Sequence, residues 1–336
     1  MNLKEKYTAS ESRYDHMPYH RVGRSGLMFP ALSLGFWHNF GNNGSYDRMR
    51  DICRKAFDLG ITQFDLANNY GPEYGSAESN AGRILRDDFS AHRDELLIAT
   101  KAGYDMWPGP YGNWGSRKYL ISSCDQSLKR LGLEYVDIFY HHRMDPDTPL
   151  EETMGALADI VRSGKALYAG ISNYDREHTA EAMRIMRELR VPLIVNQRKY
   201  SILERTIEKD GVKEYCHENG MGIIAFCPLA QGLLSGKYLN GIPEDSRIAR
   251  DTRYINRNVL TDRMMQQITL LNELAKERGQ TLAQMSLSWI LRDGKVCSAL
   301  IGASKPEQLA ENAKAVNQTG FSSEELERID RIVSLV

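Results

Sequence analysis

The sequence predicts an eight-fold (β/α) barrel, the TIM-barrel architecture, on three observations. Short β-branched or apolar runs alternate with amphipathic helical stretches along the chain, the runs recur at a regular interval, and no low-complexity linker divides them. Strands are expected at Leu32–Gly35, Thr62–Asp65, Leu96–Lys101, Val136–Tyr140, Ala166–Ile171, Leu193–Asn196, Gly222–Phe226 and Ser298–Ile301. Their starts lie 30, 34, 40, 30, 27, 29 and 76 residues apart, one βα unit each with the last enlarged.

Each connecting element has its own signal. Tyr19–Pro30, with Gly23 and Gly26, reads as a hairpin ahead of the first strand, and residues 1–18 read as a mobile tail; 19–336 is then a single domain. Leu120, Cys124, Leu128 and Leu131, followed by Gly132, mark one covering helix. Thr148-Pro149-Leu150-Glu151 reads as a capping box with Pro at the first helical position, opening a helix that Gly164 closes. The 76-residue interval holds a long polar loop, from Gln231 to about Leu260, and two helices, about 261–277 and 281–292. A loop of that length is usually functional. A doubly wound sheet is the competing fold, but its dinucleotide fingerprint is missing. The nearest match, Gly220-Met-Gly222-Ile-Ile-Ala225, enters a strand instead of leaving one.

Composition removes several function classes. The 336 residues carry 43 Lys+Arg against 44 Asp+Glu, a net charge of −1, without the basic excess of a general nucleic-acid binder. No apolar run approaches the length needed to span a bilayer, and the polar first residues carry no secretory signal. Five dispersed cysteines without a CxxC pattern read as reduced thiols in a cytoplasmic protein. His141 and His142 are adjacent, so in a strand they point to opposite faces, and no metal site is expected.

Active sites of such barrels lie at the C-terminal ends of the strands. Asp65 ends the second strand, Lys101 ends the third, His142 follows the fourth, and Tyr70 sits five residues past Asp65. A nearby ammonium lowers a tyrosine pKa, so Lys101 is expected to activate Tyr70 while Asp65 orients the lysine. His142 could clamp a carbonyl. A proton donor beside such a clamp is the polar half of an aldehyde or ketone reduction.

At these residues the chain resembles the aldo-keto reductase superfamily, over about 19–333. The run Asp65-Leu-Ala-Asn-Asn-Tyr70-Gly71 is similar to that family's Asp-to-Tyr signature, and Ser127–Ile138 with His142 to its helix-three and strand-four block. The resemblance implies a catalytic tetrad of Asp65, Tyr70, Lys101 and His142, with Tyr70 as general acid, and NADP(H) as cofactor. It also implies that Ser172, Asn173 and Gln197 bond the nicotinamide carboxamide and that Phe226 stacks on the ring, with Trp37 and Asp65 close by. The loop Phe226–Tyr238 resembles the cofactor loop of potassium-channel β-subunits. It implies contacts from Pro228, Leu229, Gln231, Gly232 and Lys237, with Arg247 reaching the adenosine phosphate. The segment Ile301–Asn312 resembles the adenine and 2′-phosphate site, through Gly302, Ser304, Gln308, Glu311 and Asn312. Read alone, it is a helix capped by Ser304.

The runs Trp37–Gly41, Lys101–Gly112, Ser116–Tyr119 and His142-Arg143 look more like the bacterial branch of L-glyceraldehyde 3-phosphate and methylglyoxal reductases. Trp37, Trp107 and Trp114 are candidate pocket walls, and Arg143 and Arg117 candidate contacts for a substrate phosphate. Cys227, Asn173 and Lys305 depart from the residues usual in the family or its branches. The expectation is a homo-oligomeric, NADPH-dependent aldehyde reductase. The alternatives are a redox-sensing NADP(H)-binding subunit of a membrane partner, and a Schiff-base lyase with Lys101 as nucleophile.

Overall fold

The computed structural model describes residues 7–244, 246–250 and 255–335, the side chains of Arg247 and Arg250 excepted. The chain begins with β1 (Tyr19–Arg21) and β2 (Met28–Pro30), an antiparallel hairpin. Then follow β3 (Leu32–Gly35), α1 (Tyr46–Asp58), β4 (Gln63–Asp65), α2 (Ser76–Asp88), β5 (Leu97–Ala102) and α3 (Arg117–Leu131). Next come β6 (Val136–His141), α4 (Leu150–Arg162), β7 (Ala166–Ser172), α5 (Arg176–Glu188) and β8 (Leu193–Lys199). Two short helices, α6 (Thr206–Lys209) and α7 (Val212–Asn219), precede β9 (Gly222–Phe226). The remainder is α8 (Arg247–Arg250), α9 (Asp262–Glu277), α10 (Leu282–Leu291), β10 (Ser298–Ile301), α11 (Pro306–Ala313) and α12 (Ser323–Val333).

Strands β3 to β10 form a closed parallel barrel, sealed where Ala299, Leu300 and Ile301 pair with Leu32, Ser33 and Leu34. All eight expected strands are present, and the hairpin precedes them. Among the described residues six α-helices start where the sequence supplies a side-chain cap. The side chains of Ser45, Ser116, Asp175 and Thr261 accept amides of the next turn, and Thr281 and Ser322 form reciprocal boxes with Gln284 and Glu325.

The capping box expected at Thr148 is absent. Pro149 is itself the N-cap, with no side-chain cap bond, because its extended backbone delays the helix to Leu150 and leaves Thr148 one residue too early. The Thr148 amide donates to Asp145 Oδ1 at 3.3 Å instead. Residues 7–17 make contacts that sequence patterning did not anticipate: Tyr7 bonds Asp58 at 2.6 Å, Arg13 bonds Glu95 at 2.6 Å, and Met17 is buried.

Two apolar layers position the site. One lies between strands and helices. The other fills the lower barrel, where Ala99, Ile138, Tyr140, Val195 and Ile224 meet Val22 and Phe29 of the hairpin. The hairpin therefore plugs the N-terminal mouth. Gly23 makes this possible: its φ is +55°, and a Cβ there would lie 2.1 Å from the Gly220 carbonyl oxygen. Higher in the barrel the Tyr140 ring occupies space left by Gly170, where a Cβ would meet ring carbons at 2.5 and 2.6 Å. The titratable groups of the rim lie above this layer, on the strand ends and the loops that follow them.

Gly170→Ala should lower stability by roughly 1–3 kcal/mol through overpacking against the buried Tyr140 ring. Gly26→Ala, where nothing lies within 4 Å of the added carbon, serves as the control. Urea unfolding curves of both variants measure the difference.

Candidate active site

The centre of the rim is an ion pair out of contact with water. Lys101 on β5 and Asp65 at the end of β4 are both fully buried. Lys101 Nζ donates to Asp65 Oδ2 at 2.5 Å and to the Leu66 carbonyl at 2.6 Å. Gln197 on β8 donates from Nε2 to Asp65 Oδ1 at 2.9 Å, so both carboxylate oxygens are occupied. Burial pulls the Lys101 ammonium below its usual pKa, and Asp65 opposes that shift.

Tyr70 stands beside this pair on the loop from β4 to α2. The Tyr70 amide bonds the Ala67 carbonyl at 3.1 Å, and Gly71 follows with φ +91°, where a Cβ would lie 2.2 Å from Ser76 Oγ. Lys101 Nζ lies 5.1 Å from the centre of the Tyr70 ring. Its third N–H has no acceptor among the described residues. Burial, then the negative charge of Asp65, pushes the Tyr70 phenol well above its ordinary pKa. This differs from the expected lowering by Lys101, whose two hydrogen bonds go to Asp65 and Leu66, not to the phenol. Tyr70 is therefore a protonated phenol at neutral pH.

His142, the residue after β6, closes the group. Its ring meets that of Tyr70 edge-on at 5.8 Å and that of Tyr104 at 4.7 Å. Burial, then the Lys101 charge, holds its pKa well below the ordinary value, so the imidazole is neutral. Trp37 lies 6.5 Å from Tyr70, ring centre to ring centre. The tetrad of the sequence reading is thus assembled at one rim, with Trp37 beside it.

The residues expected to hold the nicotinamide form a connected set. Ser172 Oγ donates to the Gln197 carbonyl at 3.0 Å, and Asn173 Nδ2 donates to the His142 carbonyl at 3.0 Å and to Ser172 Oγ at 3.1 Å. Asn173 takes a left-handed φ of +61°, a conformation that costs a non-glycine residue and is retained at functional sites. Its Oδ1 and the Oε1 of Gln197 accept no hydrogen bond among the described residues, leaving two acceptors that suit a carboxamide. Phe226, half-buried, ends β9 at the same rim. These residues fit a nicotinamide.

The remaining cofactor candidates fall into two further clusters. After β9 the loop runs through Cys227 at φ +53°, Pro228, Leu229, Ala230 at +46°, Gln231 at +57° and Gly232 at +101°. Such runs turn successive amides toward one side and make anion-binding concavities. A Cβ on Gly232 would meet Lys237 Nζ at 3.1 Å, so the exposed lysine lies over this turn. The Arg247 side chain lies outside the described residues. Beyond β10 and Gly302, Ser304 does not cap α11; Lys305 holds that position without a side-chain bond. Gln308 Oε1 instead accepts from the Ser304 amide at 2.8 Å and from its hydroxyl at 3.2 Å. The helix thus opens at Pro306 with an uncapped first turn beside Lys305, a geometry suited to a phosphate. Glu311 accepts from Lys314 at 2.5 Å and from Gln284 at 3.2 Å, and Asn312 is buried.

The substrate candidates separate. Arg143 follows His142 at the rim. Trp107 packs on Tyr119 at 5.1 Å within the loop after β5. Arg117 is turned to the outer helices, its guanidinium pairing with Asp159 at 2.6 Å. Sequence reasoning missed Tyr104 and Asn113, which touch His142 or Arg143 from that same loop. It also missed the bond from Gln197 to Asp65. Among the described residues no group of three or more His, Cys, Asp or Glu could hold a metal ion.

Asp65→Asn strands a buried ammonium and should cost about 3–5 kcal/mol, whereas adding Lys101→Met in the same chain should recover part of that loss. Urea unfolding of the two single variants and the double variant reads the coupling. Additive losses would contradict a direct buried pair.

Comparison with known proteins agrees with this geometry. Residues 31–334 match the Aldo/keto reductase family. The L-glyceraldehyde 3-phosphate reductase of Escherichia coli K12 is 57% identical over 331 residues, covering 98% of this chain and 96% of that protein. A Schizosaccharomyces pombe protein, named as a candidate voltage-gated potassium channel subunit beta, is 33% identical over 95% of this chain and 94% of its own. The crystal structure of the thermostable aldo-keto reductase Tm1743 with the inhibitor epalrestat superposes with a TM-score of 0.73, at 31% identity, over 94% of this chain and 100% of that one. With a matching family profile, barrel and relatives, the chain belongs to the aldo/keto reductase family.

Proposed function

We propose that the protein reduces small aldehydes, L-glyceraldehyde 3-phosphate and methylglyoxal-like compounds, to alcohols with NADPH. The observation that carries this reading is the meeting of a protonated Tyr70, a neutral His142 and the buried Asp65–Lys101 pair at one barrel rim. The likeness to the E. coli reductase supports the substrate class. The uncapped start of α11 beside Lys305 supports a cofactor with a 2′-phosphate. Five free cysteines support a reducing, cytoplasmic setting, and the family resemblance supports a homo-oligomer.

When bound, reduced nicotinamide supplies the hydride that the carbonyl carbon receives. The chain's own residues do the rest. His142, neutral through burial, offers a ring N–H to the carbonyl oxygen and fixes its angle. Tyr70 passes its phenolic proton to that oxygen as negative charge develops there. The resulting phenolate is favoured by the ammonium of Lys101, which keeps its proton because Asp65 and the Leu66 carbonyl hold it. Gln197 prevents Asp65 from turning away. Ser172 and Asn173 tie β7 to His142 and to β8, so the carbonyl clamp and the carboxamide acceptors move as one unit.

Tyr70→Phe removes the proton donor and leaves the cofactor contacts in place. The variant should bind NADPH as the wild type does, while aldehyde reduction drops about 10²- to 10⁴-fold. NADPH fluorescence titration and steady-state kinetics together read both quantities. Full reductase activity in the variant overturns the assignment of Tyr70.

A further inference from the structure

We propose that Arg143 recognises the phosphate of a phosphorylated triose, and so sets the site's preference for phosphorylated over unphosphorylated short aldehydes. The inference rests on the aldehyde-reductase reading above and names the group that selects its substrate.

Among the described residues Arg143 is held without a counter-ion. Other buried or half-buried guanidinium groups of this chain meet carboxylates: Arg93 pairs with Asp137, Arg130 with Glu78, Arg198 with Asp210 and Arg278 with Glu325. The partners of Arg143 are neutral. Its Nε donates to the Gly103 carbonyl at 2.9 Å and its Nη2 to Asn113 Oδ1 at 2.9 Å. No carboxylate pairs with it among the described residues, and Nη1 has no acceptor there. A fixed guanidinium with an open arm and no balancing charge is a receptor for an anion.

The socket is also rigid. The guanidinium carbon lies 4.2 Å from the centre of the Tyr104 ring and 3.6 Å from that of Trp114, so two aromatic faces hold the plane. Trp114 reaches its place with φ +69°, a left-handed conformation unfavourable for an indole-bearing residue. Asn113 Oδ1 also accepts the Trp114 amide at 2.7 Å, and Asn113 Nδ2 donates to Asp105 at 2.6 Å. Of the carboxylates bonded to this loop, Asp105 is spent on Asn113 and Asp145 accepts the Gly115 amide at 2.9 Å; neither pairs with Arg143.

The socket adjoins the reacting end of the site. The Tyr104 ring that carries Arg143 on one side stands edge-on against His142 at 4.7 Å. The carbonyl clamp and the anion receptor thus share one aromatic ring and are consecutive in the chain. A ligand bridging them needs a carbonyl and an anion joined by a short chain, which is the chemistry of a triose phosphate. A bare dicarbonyl offers the guanidinium a neutral acceptor but no charge, the weaker of the two partners.

The test is the ratio of kcat/KM for glyceraldehyde 3-phosphate to that for glyceraldehyde, with NADPH, in wild type, Arg143→Met and Arg143→Lys. The ratio should fall about 10- to 100-fold in Arg143→Met, the range of a charge-assisted hydrogen bond, and recover in part in Arg143→Lys. Inorganic phosphate should compete with glyceraldehyde 3-phosphate in the wild type and much less in Arg143→Met. A ratio that stays constant while both activities fall makes Arg143 only a staple for the Tyr104–Trp114 loop and overturns the assignment. A wild type that reduces glyceraldehyde with no advantage for the phosphorylated form also overturns it while leaving the reductase reading intact. A wild type that reduces neither removes both.

Discussion

The constraint on which the site depends is the burial of a charged amine in the upper barrel. Lys101 is sealed from water, and a lone ammonium there would lose its proton or unfold the rim. Asp65 and the Leu66 carbonyl prevent that, and Gln197 in turn fixes Asp65. These contacts join β4, β5 and β8 across the barrel interior. Desolvation of the two charges offsets their attraction. What the pair secures is placement: it sets a fixed positive charge 5.1 Å from the centre of the Tyr70 ring.

The rest of the fold keeps that charge in place. Below it the barrel is filled by the Tyr140 ring and an aliphatic layer, and below that the hairpin closes the mouth. The packed layer closes the barrel from beneath, and Tyr70 and His142 lie at its C-terminal rim. The same packing shifts the proton equilibria. Burial keeps the Tyr70 proton on and His142 neutral, which are the forms a proton donor and a carbonyl clamp need.

Much of this was legible in the sequence because barrel strands recur and their last residues must face the rim. Asp65, Lys101 and His142 fell at strand ends by counting alone, and Tyr70 lay within one loop of them. What was not legible depended on loop conformation. Tyr104, Trp114 and Asn113 gather around Arg143 through a left-handed residue and two side-chain bonds that no periodicity announces. Arg117 looked equivalent to Arg143 as a candidate phosphate contact, yet as the first residue of α3 it pairs with Asp159 of α4. The caps expected at Thr148 and Ser304 failed for a related reason. Cap identity depends on where the backbone turns helical, and in both places that happens later than the motif suggests.

The proposed chemistry requires that this rim turn over an aldehyde instead of merely holding a nicotinamide. The direct measurement is the absorbance of NADPH mixed with the purified protein, followed on adding glyceraldehyde 3-phosphate, methylglyoxal or an aromatic aldehyde, with NADH in parallel. Aldehyde-dependent oxidation is expected, fastest with the triose phosphate and faster with NADPH than with NADH. Tight binding of NADPH with no oxidation by any of the three would contradict it and favour a cofactor-sensing subunit.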